Sequence, residues 1–351
     1  MATTFKTFLN NDITSTKTLL HEAIPVTGTI VSGTYSDNNI KNYAHGMFQS
    51  VYDYPYLSSS ANHIFDLTIG YATSVSGASN TQNAKKLNLY NQMAQVLVGH
   101  DATGSIREFD QDGNFIGTTG DKITRPIFIN FARLLSKDEV KKGSFTLKIF
   151  GNSSYTQAGY SGTPLTIQDT NAQNDYRVNS PAGEYGILSC SSGASGGGTP
   201  ACGLIFYQAG VAVLDGSAIF ISGSGIVGTD CEMDSGAQTW NDITVSSSIS
   251  ASCDAIRNRL QEVSFNNTTE LNSTIHFCRV NHNDFNYSAN PTYLSESKIR
   301  VKNSTTDAPV SYITTVGLYS ADNELLAVAK LSEPLKKDPT NEMTIRVRLD
   351  Y

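Results

Sequence analysis

The sequence is poor in charged residues, and the balance of charge is negative. Asp, Glu, Lys and Arg make up 16% of the 351 residues, with 25 basic against 32 acidic side chains and a net charge of −7. Basic residues form no run longer than short pairs such as Lys141-Lys142 and Lys336-Lys337. A surface of this sign repels a phosphate backbone, so we expect no nucleic-acid partner.

The sequence also lacks a long uninterrupted apolar run. Its most apolar stretch, residues 203–222, contains Gln208, Gly210, Asp215 and Gly216, which a membrane-spanning helix tolerates poorly. Two buried strands joined at Asp215-Gly216 explain this stretch better. The first residues have neither the basic start nor the apolar core of a signal peptide. We therefore expect no membrane insertion and no secretion by that route.

Cysteine is scarce, and its number, five, is odd. Cys190 and Cys202 flank a Gly/Ser tract and could meet across a hairpin, but assembly in a cytosol would keep them reduced, so we expect free thiols. The one cluster of metal-ligand types comprises His276, Cys278 and the His and Asp within residues 282–284. No second Cys/His pair at finger spacing accompanies it, and we expect no metal site.

Motifs for catalysis and cofactor binding are incomplete. Residues 223–228 match the Gly-x-Gly-x-x-Gly dinucleotide fingerprint, but no helical apolar pattern follows them. Residues 193–197 fit the Gly-x-Ser-x-Gly nucleophile pattern within a flexible Ser/Gly run. Residues 110–114 have calcium-loop spacing, but Phe115 occupies the position that requires Gly. Because the carboxylates are scattered as well, we expect no catalytic residue, no cofactor and no enzymatic activity.

Short apolar alternations separated by turn residues predict a mainly β fold. Residues 145–149 alternate cleanly, and Asp112-Gly113 predicts a hairpin turn. Residues 313–319 and 325–331 flank a turn at Asp322-Asn323, which predicts a hairpin with a buried second strand. The strictest alternation is at residues 343–351. It places Val347 in the core and Arg346 and Arg348 on the outer face.

One segment, residues 83–99, has the apolar stripe of a helix, with Lys85 and Lys86 on the opposite side and Gly99 as a C-terminal stop. We predict an antiparallel β-sandwich with one isolated amphipathic helix, an N-terminal arm and an inserted hairpin region. The expected boundaries are residues 1–26 for the arm, 27–180 and 246–351 for the sandwich body, and 181–245 for the Gly/Ser-rich inserted hairpin region.

Two surfaces are candidates for binding. The N-terminal arm carries apolar side chains but is too short to own a core, so we expect it to engage a neighbouring subunit together with the outer face of the C-terminal strand. The side chains of this expected interface are Phe5, Phe8, Leu9, Leu19, Leu20, Arg346 and Arg348. A Tyr-rich segment indicates a face for a sugar or a protein, with packing between arm and sandwich as the alternative. Its tyrosines are Tyr43, Tyr52, Tyr54 and Tyr56.

Several segments resemble virion structural proteins of large contractile-tailed bacteriophages, of the myovirus type and marine or cyanophage-like. They are residues 282–293 (HNDFNYSANPTY), 313–331 (ITTVGLYSADNELLAVAKL), 128–133, 142–147 and 203–210. The second is also similar to the C-terminal hairpin of tail-collar fibre proteins, in which Gly-Leu-Tyr leads through an acidic turn to Leu-Ala-Val-Ala.

The resemblance implies a structural subunit of a phage virion that is assembled in the host cytoplasm. It implies a tail, baseplate or tail-fibre-attachment component, with other virion structural proteins as partners in a symmetric multicopy assembly. It assigns no catalytic residue. The alternatives are a receptor- or glycan-binding fibre protein and a neck or head-surface decoration protein.

Overall fold

The structure is a computed structural model, and it divides the chain into two units. Unit 1 comprises Met1–Leu19 and Glu270–Tyr351, and unit 2 comprises Leu20–Thr269. The structure describes residues 5–27, 37–75, 81–115, 122–149, 164–190, 201–220, 231–232, 237–238, 240–257, 259–288, 293–295, 298–299, 304 and 306–351.

Strands dominate the described residues. They are β1 (Ile13–Thr27), β2 (Ile40–Asn42), β3 (Gln49–Tyr52), β4 (His63–Ile69), β5 (Pro126–Phe131), β6 (Glu139–Val140), β7 (Thr146–Ile149), β8 (Leu165–Gln168), β9 (Tyr185–Cys190), β10 (Ala201–Phe206), β11 (Val211–Asp215), β12 (Cys231–Glu232), β13 (Ala237–Gln238), β14 (Leu260–Val280), β15 (Leu294–Ser295), β16 (Lys298–Ile299), β17 (Ser311–Tyr319), β18 (Leu325–Lys337) and β19 (Met343–Asp350). The helices are α1 (Thr81–Leu97), α2 (Arg133–Ser136), α3 (Gly216–Ile219), α4 (Trp240–Ser246) and α5 (Ile249–Arg257), with 3-10 turns at Asn10–Asp12 and Asp37–Asn39. The neighbouring strands pair in antiparallel register, which confirms the predicted mainly β, antiparallel fold.

Unit 2 is built on a sheet with the strand order β14-β7-β8-β9-β10-β11-β5-β4-β3-β2. β9, β10 and β11 thus lie in the middle of the sheet, whereas the sequence analysis expected residues 181–245 to be an inserted hairpin region. The physical reason is that all residues of β11, and all but the first of β10, are buried. A strand covered on both faces belongs inside a sheet, not in a projection.

The sheet of unit 2 is rolled. The ring of Phe131, on β5, lies 5.9 Å from that of Phe145, next to β7, and 5.0 Å from that of Phe265, on β14. Six strand spacings separate β5 from β14 in the sheet order, roughly 29 Å in a flat sheet. β5 therefore faces β7 and β14 across one core. The predicted sandwich is realised as two facing layers of one sheet.

Two hydrophobic clusters fill unit 2. The first lies inside the roll and contains apolar side chains of β3 to β5, β7 to β11, β14, α4 and α5. The second lies on the outer face, where α1 packs over β5, β10 and β11. Gly70, just after β4, permits this close packing, since a Cβ there would lie 3.1 Å from the Lys86 carbonyl oxygen and from Tyr90 Cβ.

The predicted helix at residues 83–99 is α1, and Gly99 follows it with a positive φ of 77°. Lys86 departs from the prediction, because it is fully buried and not solvated. Its Nζ donates to the carbonyl oxygens of Thr244 at 2.7 Å and Ser247 at 2.5 Å, at the C-terminal end of α4. Carbonyls at a helix C-terminus attract a cation, while burial lowers the pKa of Lys86 to about 8.

Two predicted hairpins differ from those in the structure. β10 and β11 are joined at Gly210, which has a φ of 67°, and Asp215 instead caps α3 by accepting from the Ser217 N–H. Asp112-Gly113 forms a turn, but the structure assigns no strand on either side of it within the described residues. Phe115 there has a φ of 53°, which is incompatible with the extended strand that was expected.

The expectation of free thiols is wrong for one pair. Cys190 and Cys202 form a disulfide with a Cα–Cα distance of 6.0 Å. The cause is the antiparallel register of β9 and β10, in which Ser189 lies opposite Ala201, so that the two cysteines meet at neighbouring strand ends. Cys253 and Cys278 are free. Burial raises the pKa of Cys253 well above its usual range, so this thiol is unreactive.

Unit 1 contains the second half of β14, the strand β19 and the hairpin of β17 and β18. β19 pairs with β14 from Ser273–Asp350 to Val280–Met343. Val347 is 7% exposed, whereas Arg346 and Arg348 lie on the exposed face. The alternation predicted for the C-terminal strand is therefore confirmed. None of the described helices of the chain has the length and apolar character needed to cross a membrane.

Candidate assembly surface

The described part of unit 1 has little hydrophobic core. Both hydrophobic clusters consist of residues of unit 2. In the described part of unit 1, the buried hydrophobic side chains are Val280, Tyr293, Leu318 and Val347. The exposed large hydrophobic ones are Phe5, Phe8, Leu9, Ile13, Leu19, Leu271, Phe285, Tyr287, Tyr312, Tyr319, Leu325, Leu326, Val328, Leu335 and Tyr351. Exposed apolar surface of this extent is typical of an interaction site and makes unit 1 the candidate.

Four of these exposed side chains form an apolar stripe on the β17–β18 hairpin. We define this apolar stripe as Tyr319, Leu325, Leu326 and Val328. Tyr319 lies opposite Leu325 and Gly317 opposite Val328 in the ladder, with an irregularity at Leu326. Leu326 is 68% exposed and Val328 is 64% exposed. Residues 325–331, predicted to form a buried strand, are instead exposed or half-buried.

The other face of the hairpin is better covered. Val316 lies opposite Ala329, and Leu318 lies opposite Ala327. Leu318 is buried, and the other three are half-buried. Partners across an antiparallel ladder share a face, so the hairpin has an inner side and an apolar outer side. Near the turn, the large exposed apolar side chains therefore lie on the outer side.

Ion pairs hold the N-terminal arm within unit 1. Lys17 pairs with Glu270 on β14 at 2.5 Å, and Lys6 pairs with Asp284. Asp12 accepts from the backbone N–H of Leu9 at 2.8 Å and from Nε of Arg279 at 2.6 Å. The backbone N–H of Leu9, with the guanidinium of Arg279, keeps the pKa of Asp12 below its usual value. The arm is thus anchored on its own chain.

The apolar side chains of the arm follow two patterns. The ring of Phe5 lies 4.8 Å from that of Tyr319, and the ring of Phe8 lies 5.3 Å from that of His276. Both rings therefore contact unit 1 while keeping an exposed side. Leu9 and Leu19, and Leu20 at the start of unit 2, are exposed. Phe5 extends the apolar stripe at Tyr319.

The two arginines of the expected interface lie on the outer face of β19. Nε of Arg348 donates to Oδ1 of Asp350 at 2.6 Å, and its Nη2 donates to Oγ of Ser273 at 3.1 Å. Arg346 is exposed, opposite Phe277 in the ladder. These contacts leave Arg346 better placed than Arg348 to meet a partner.

A buried lysine at the base of the hairpin escaped the sequence analysis. Nζ of Lys337 donates to the carbonyl oxygens of His282 at 3.1 Å and Asp338 at 2.8 Å, and to Oδ1 of Asn286 at 2.7 Å. The side chain is fully buried. It ties the base of β18 to the loop after β14, so it fixes the direction in which the apolar stripe projects. The pair Lys336-Lys337 carried no signal for this role.

The tyrosines of the second candidate face lie in unit 2, and three of them join one array. The ring of Tyr52 lies 6.4 Å from that of Tyr56 and 5.5 Å from that of His63. The Tyr43 hydroxyl is 3.2 Å from Oγ of Ser50. Tyr54 is exposed and takes no part in these ring contacts. The structure thus separates Tyr54 from the other three.

The motifs considered for metal binding do not converge. His276 packs against Phe8 and Asp284 pairs with Lys6, while Asp110 in the calcium-like loop binds Nζ of Lys122 at 2.5 Å. Across the described ranges, no three His, Cys, Asp or Glu side chains are grouped so as to hold a metal ion. The Gly-rich motifs at residues 193–197 and 223–228 lie outside the described residues.

Comparison with known proteins adds no further assignment. No family model, no curated protein and no solved structure matches the chain.

Proposed function

We propose that this chain is a non-enzymatic structural subunit of a tailed-phage virion, with unit 2 as its folded body and unit 1 as its assembly surface. The exposed apolar stripe on the β17–β18 hairpin is the observation that carries this proposal. The context of the particle comes from the sequence resemblance, whose longest segment is this same hairpin. A tail, baseplate or fibre-attachment position agrees with it, with copies of itself and other virion structural proteins as partners.

The energetics favour burial of the stripe in an assembly. Burying one Leu, Val or aromatic side chain contributes about 1.5–3 kcal/mol. The four side chains of the stripe are 45–68% exposed, so their burial supplies roughly 3–7 kcal/mol of gross free energy for each copy, which is the same order as the cost of association. The exposed side chains of the arm add to this when they share the interface.

The backbone offers a second mode of contact. β1 is the edge strand next to β14, and its described side chains from Ile13 to His21 are all exposed. An edge strand presents unpaired N–H and C=O groups to a further strand. A neighbouring subunit can therefore add a strand along β1 while its side chains cover Ile13 and Leu19.

A matched pair of substitutions tests the assembly surface. Val328 on the hairpin and Val96 on α1 are 64% and 66% exposed, so Asp at either position causes a similar loss of exposed apolar area. We expect light scattering coupled to size-exclusion chromatography to show a defined oligomer for the unmodified chain and for Val96→Asp. We expect Val328→Asp to be a folded monomer.

Two results would count against this proposal. One is a monomeric unmodified chain at tens of micromolar. The other is that both substitutions dissociate the oligomer equally. That result would mean that the added charge, and not its position on the stripe, causes the dissociation. The far-UV circular dichroism of each variant should match that of the unmodified chain, because neither substituted side chain is buried.

A further inference from the structure

A lysine and an aspartate are paired beside the second hydrophobic cluster of unit 2. Lys122 and Asp110 lie opposite each other in an antiparallel bridge, and Nζ of Lys122 lies 2.5 Å from Oδ2 of Asp110. Their chain neighbours Phe109 and Ile123 are fully buried in that cluster, and the Ile123 N–H donates to the Phe109 carbonyl oxygen at 2.9 Å. Since partners across an antiparallel pair share a face, the backbone holds the two side chains together.

Burial distinguishes this pair from the other lysine ion pairs of the described residues. The side chains of Lys122 and Asp110 are 12% and 3% exposed. In each of the other lysine pairs, including Lys148 with Glu262 at 2.6 Å, one side chain is at least 34% exposed. A buried pair loses the solvation that keeps both groups ionised. The neutral amine of Lys122 and the neutral acid of Asp110 therefore become accessible.

A second carboxyl, that of Asp112, adjoins the pair. The side chains of Asp112 and Asp110 share a hydrogen bond, and the backbone N–H of Asp112 donates to Oδ1 of Asp110 at 3.2 Å. Burial and the shared hydrogen bond raise the pKa of Asp110. The hydrogen bonds from Asp110 and from the backbone N–H of Asn114 lower the pKa of Asp112. Two carboxyls whose pKa values are pushed apart are suited to act as an acid and a base.

We propose that Lys122 and Asp110 condense to form an intramolecular isopeptide bond, with Asp112 as the acid–base group. A proton first moves from the ammonium of Lys122 to the carboxylate of Asp110. The neutral amine then attacks Cγ of Asp110, and a C–N bond forms. Asp112 takes a proton from the nitrogen and passes it to the leaving hydroxyl, so that the C–O bond breaks and water departs. An amine and a carboxylic acid thus become an amide and one water molecule, and no further reactant is needed.

The fixed proximity of the two groups favours this reaction. Nζ of Lys122 contacts an oxygen bonded to Cγ of Asp110, so the nitrogen lies near the roughly 3–3.5 Å separation at which well-oriented groups react. The bond would close a covalent ring over residues 110–122 and would constrain the unfolded chain, as a disulfide does. The step occurs once in each molecule, so it does not make the chain an enzyme.

Tryptic mapping of the denatured full chain tests for the bond. Trypsin cuts after Arg107 and Lys122, whereas an amide on Lys122 blocks the second cut, and the Arg125-Pro126 bond resists cleavage. We therefore expect a peptide of residues 108–133 that is lighter than its sequence by one water molecule. Fragmentation of this peptide should separate no backbone bond between residues 110 and 122, because the ring holds the pieces together.

Three variants assign the chemistry to its residues. Lys122→Arg keeps a cation beside Asp110, but a guanidinium stays protonated and is no nucleophile, so residues 108–122 should appear at full mass. Asp112→Ala removes the acid–base group, and the linked fraction of freshly synthesised protein should grow about a hundredfold more slowly. Lys148→Arg is the matched control, because it changes the more exposed pair with Glu262, and it should be linked as fully as the unmodified chain.

Three results would overturn the proposal. The first is recovery of residues 108–122 at full mass from the unmodified chain, which depends on no variant. The second is a loss of water that persists in Lys122→Arg, which would indicate a cyclic imide at Asp112-Gly113. The third is equally fast linkage in Asp112→Ala and the unmodified chain. All these residues belong to unit 2, so the oligomeric state of Lys122→Arg should be unchanged, which separates this test from that of the assembly surface.

Discussion

Val347→Asp tests whether β19 is a core strand of unit 1. Val347 is 7% exposed and lies opposite His276, whose ring contacts Phe8. The substitution removes about 1.5–2 kcal/mol of apolar burial. It also requires the new carboxyl to stay protonated at pH 7, which costs about 4 kcal/mol for a group with an ordinary pKa near 3.9. Together these contributions amount to a loss of about 6 kcal/mol, which is comparable to the stability of a whole domain.

Two probes distinguish the units in this experiment. Trp240 is the single tryptophan, and it is buried in unit 2 with its indole N–H bonded to the Arg125 carbonyl oxygen at 3.1 Å. We expect hydrogen exchange of Val347→Asp to rise in peptides covering residues 270–280 and 343–350, while urea unfolding followed by Trp240 fluorescence stays unchanged.

The matched control is Arg346→Asp, which places the same carboxylate one residue away on the exposed face. It should cost at most about 1 kcal/mol, because exposed charges contribute little. The assignment of the core face would be refuted if the two variants were equally protected from hydrogen exchange, or if the Arg346 variant lost more protection. A slip of one residue in register would exchange the two faces.

Three further predictions follow from single contacts. Asp12→Asn should increase hydrogen exchange in residues 5–21 at pH 7 but make no difference well below pH 4. The folded state lowers the pKa of Asp12 from 3.8, so the carboxylate stabilises the fold above that value and this stability is lost as the pH falls through the folded pKa. A difference between the variant and the unmodified chain that persists at pH 2 would contradict this. Gly70→Ala should lower stability by about 1–3 kcal/mol in denaturation followed by Trp240 fluorescence, since its Cβ would press on the α1 backbone at Tyr90; an unchanged midpoint would show that α1 can move away. Non-reducing peptide mapping should recover a peptide that links Cys190 to Cys202. Reduction should lower the melting temperature, since a disulfide contributes about 2–4 kcal/mol. Recovery of the two cysteines as free thiols from oxidised protein would instead support the prediction of free thiols.

Local sequence patterns were sufficient to predict an element when its own periodicity shows which of its side chains are buried. The apolar stripe of residues 83–99 identified α1 within two residues at each end, and the alternation of residues 343–351 identified the buried face of β19. Both depend on the periodicity of one element against a core. The burial of Lys86 did not follow from this periodicity, because its partners are carbonyls near residues 244 and 247, far away in the sequence.

The features that were not predicted depend on pairing between residues that are far apart in the sequence. The Gly/Ser tract between Cys190 and Cys202 suggested an insertion, yet β9 and β10 on either side are central strands. Residues 325–331 have the apolar composition of a buried strand, but composition does not say whether the same chain or another covers it. The alignment of Lys41, Ser50, Asp66 and Asn130 across β2 to β5 depends on the register of four strands, so no local motif could reveal it.

The most direct test of the central proposal is the composition of purified phage particles whose genome encodes this chain. Quantitative mass spectrometry should find the chain in fixed, integral stoichiometry with the other tail proteins. Negative-stain labelling with an antibody to unit 2 should mark one position along the tail. Particles made with Val328→Asp should lack both the chain and the label, whereas those made with Val96→Asp should retain both. Absence of the chain from intact particles, or its presence only in trace amounts, would contradict the proposal.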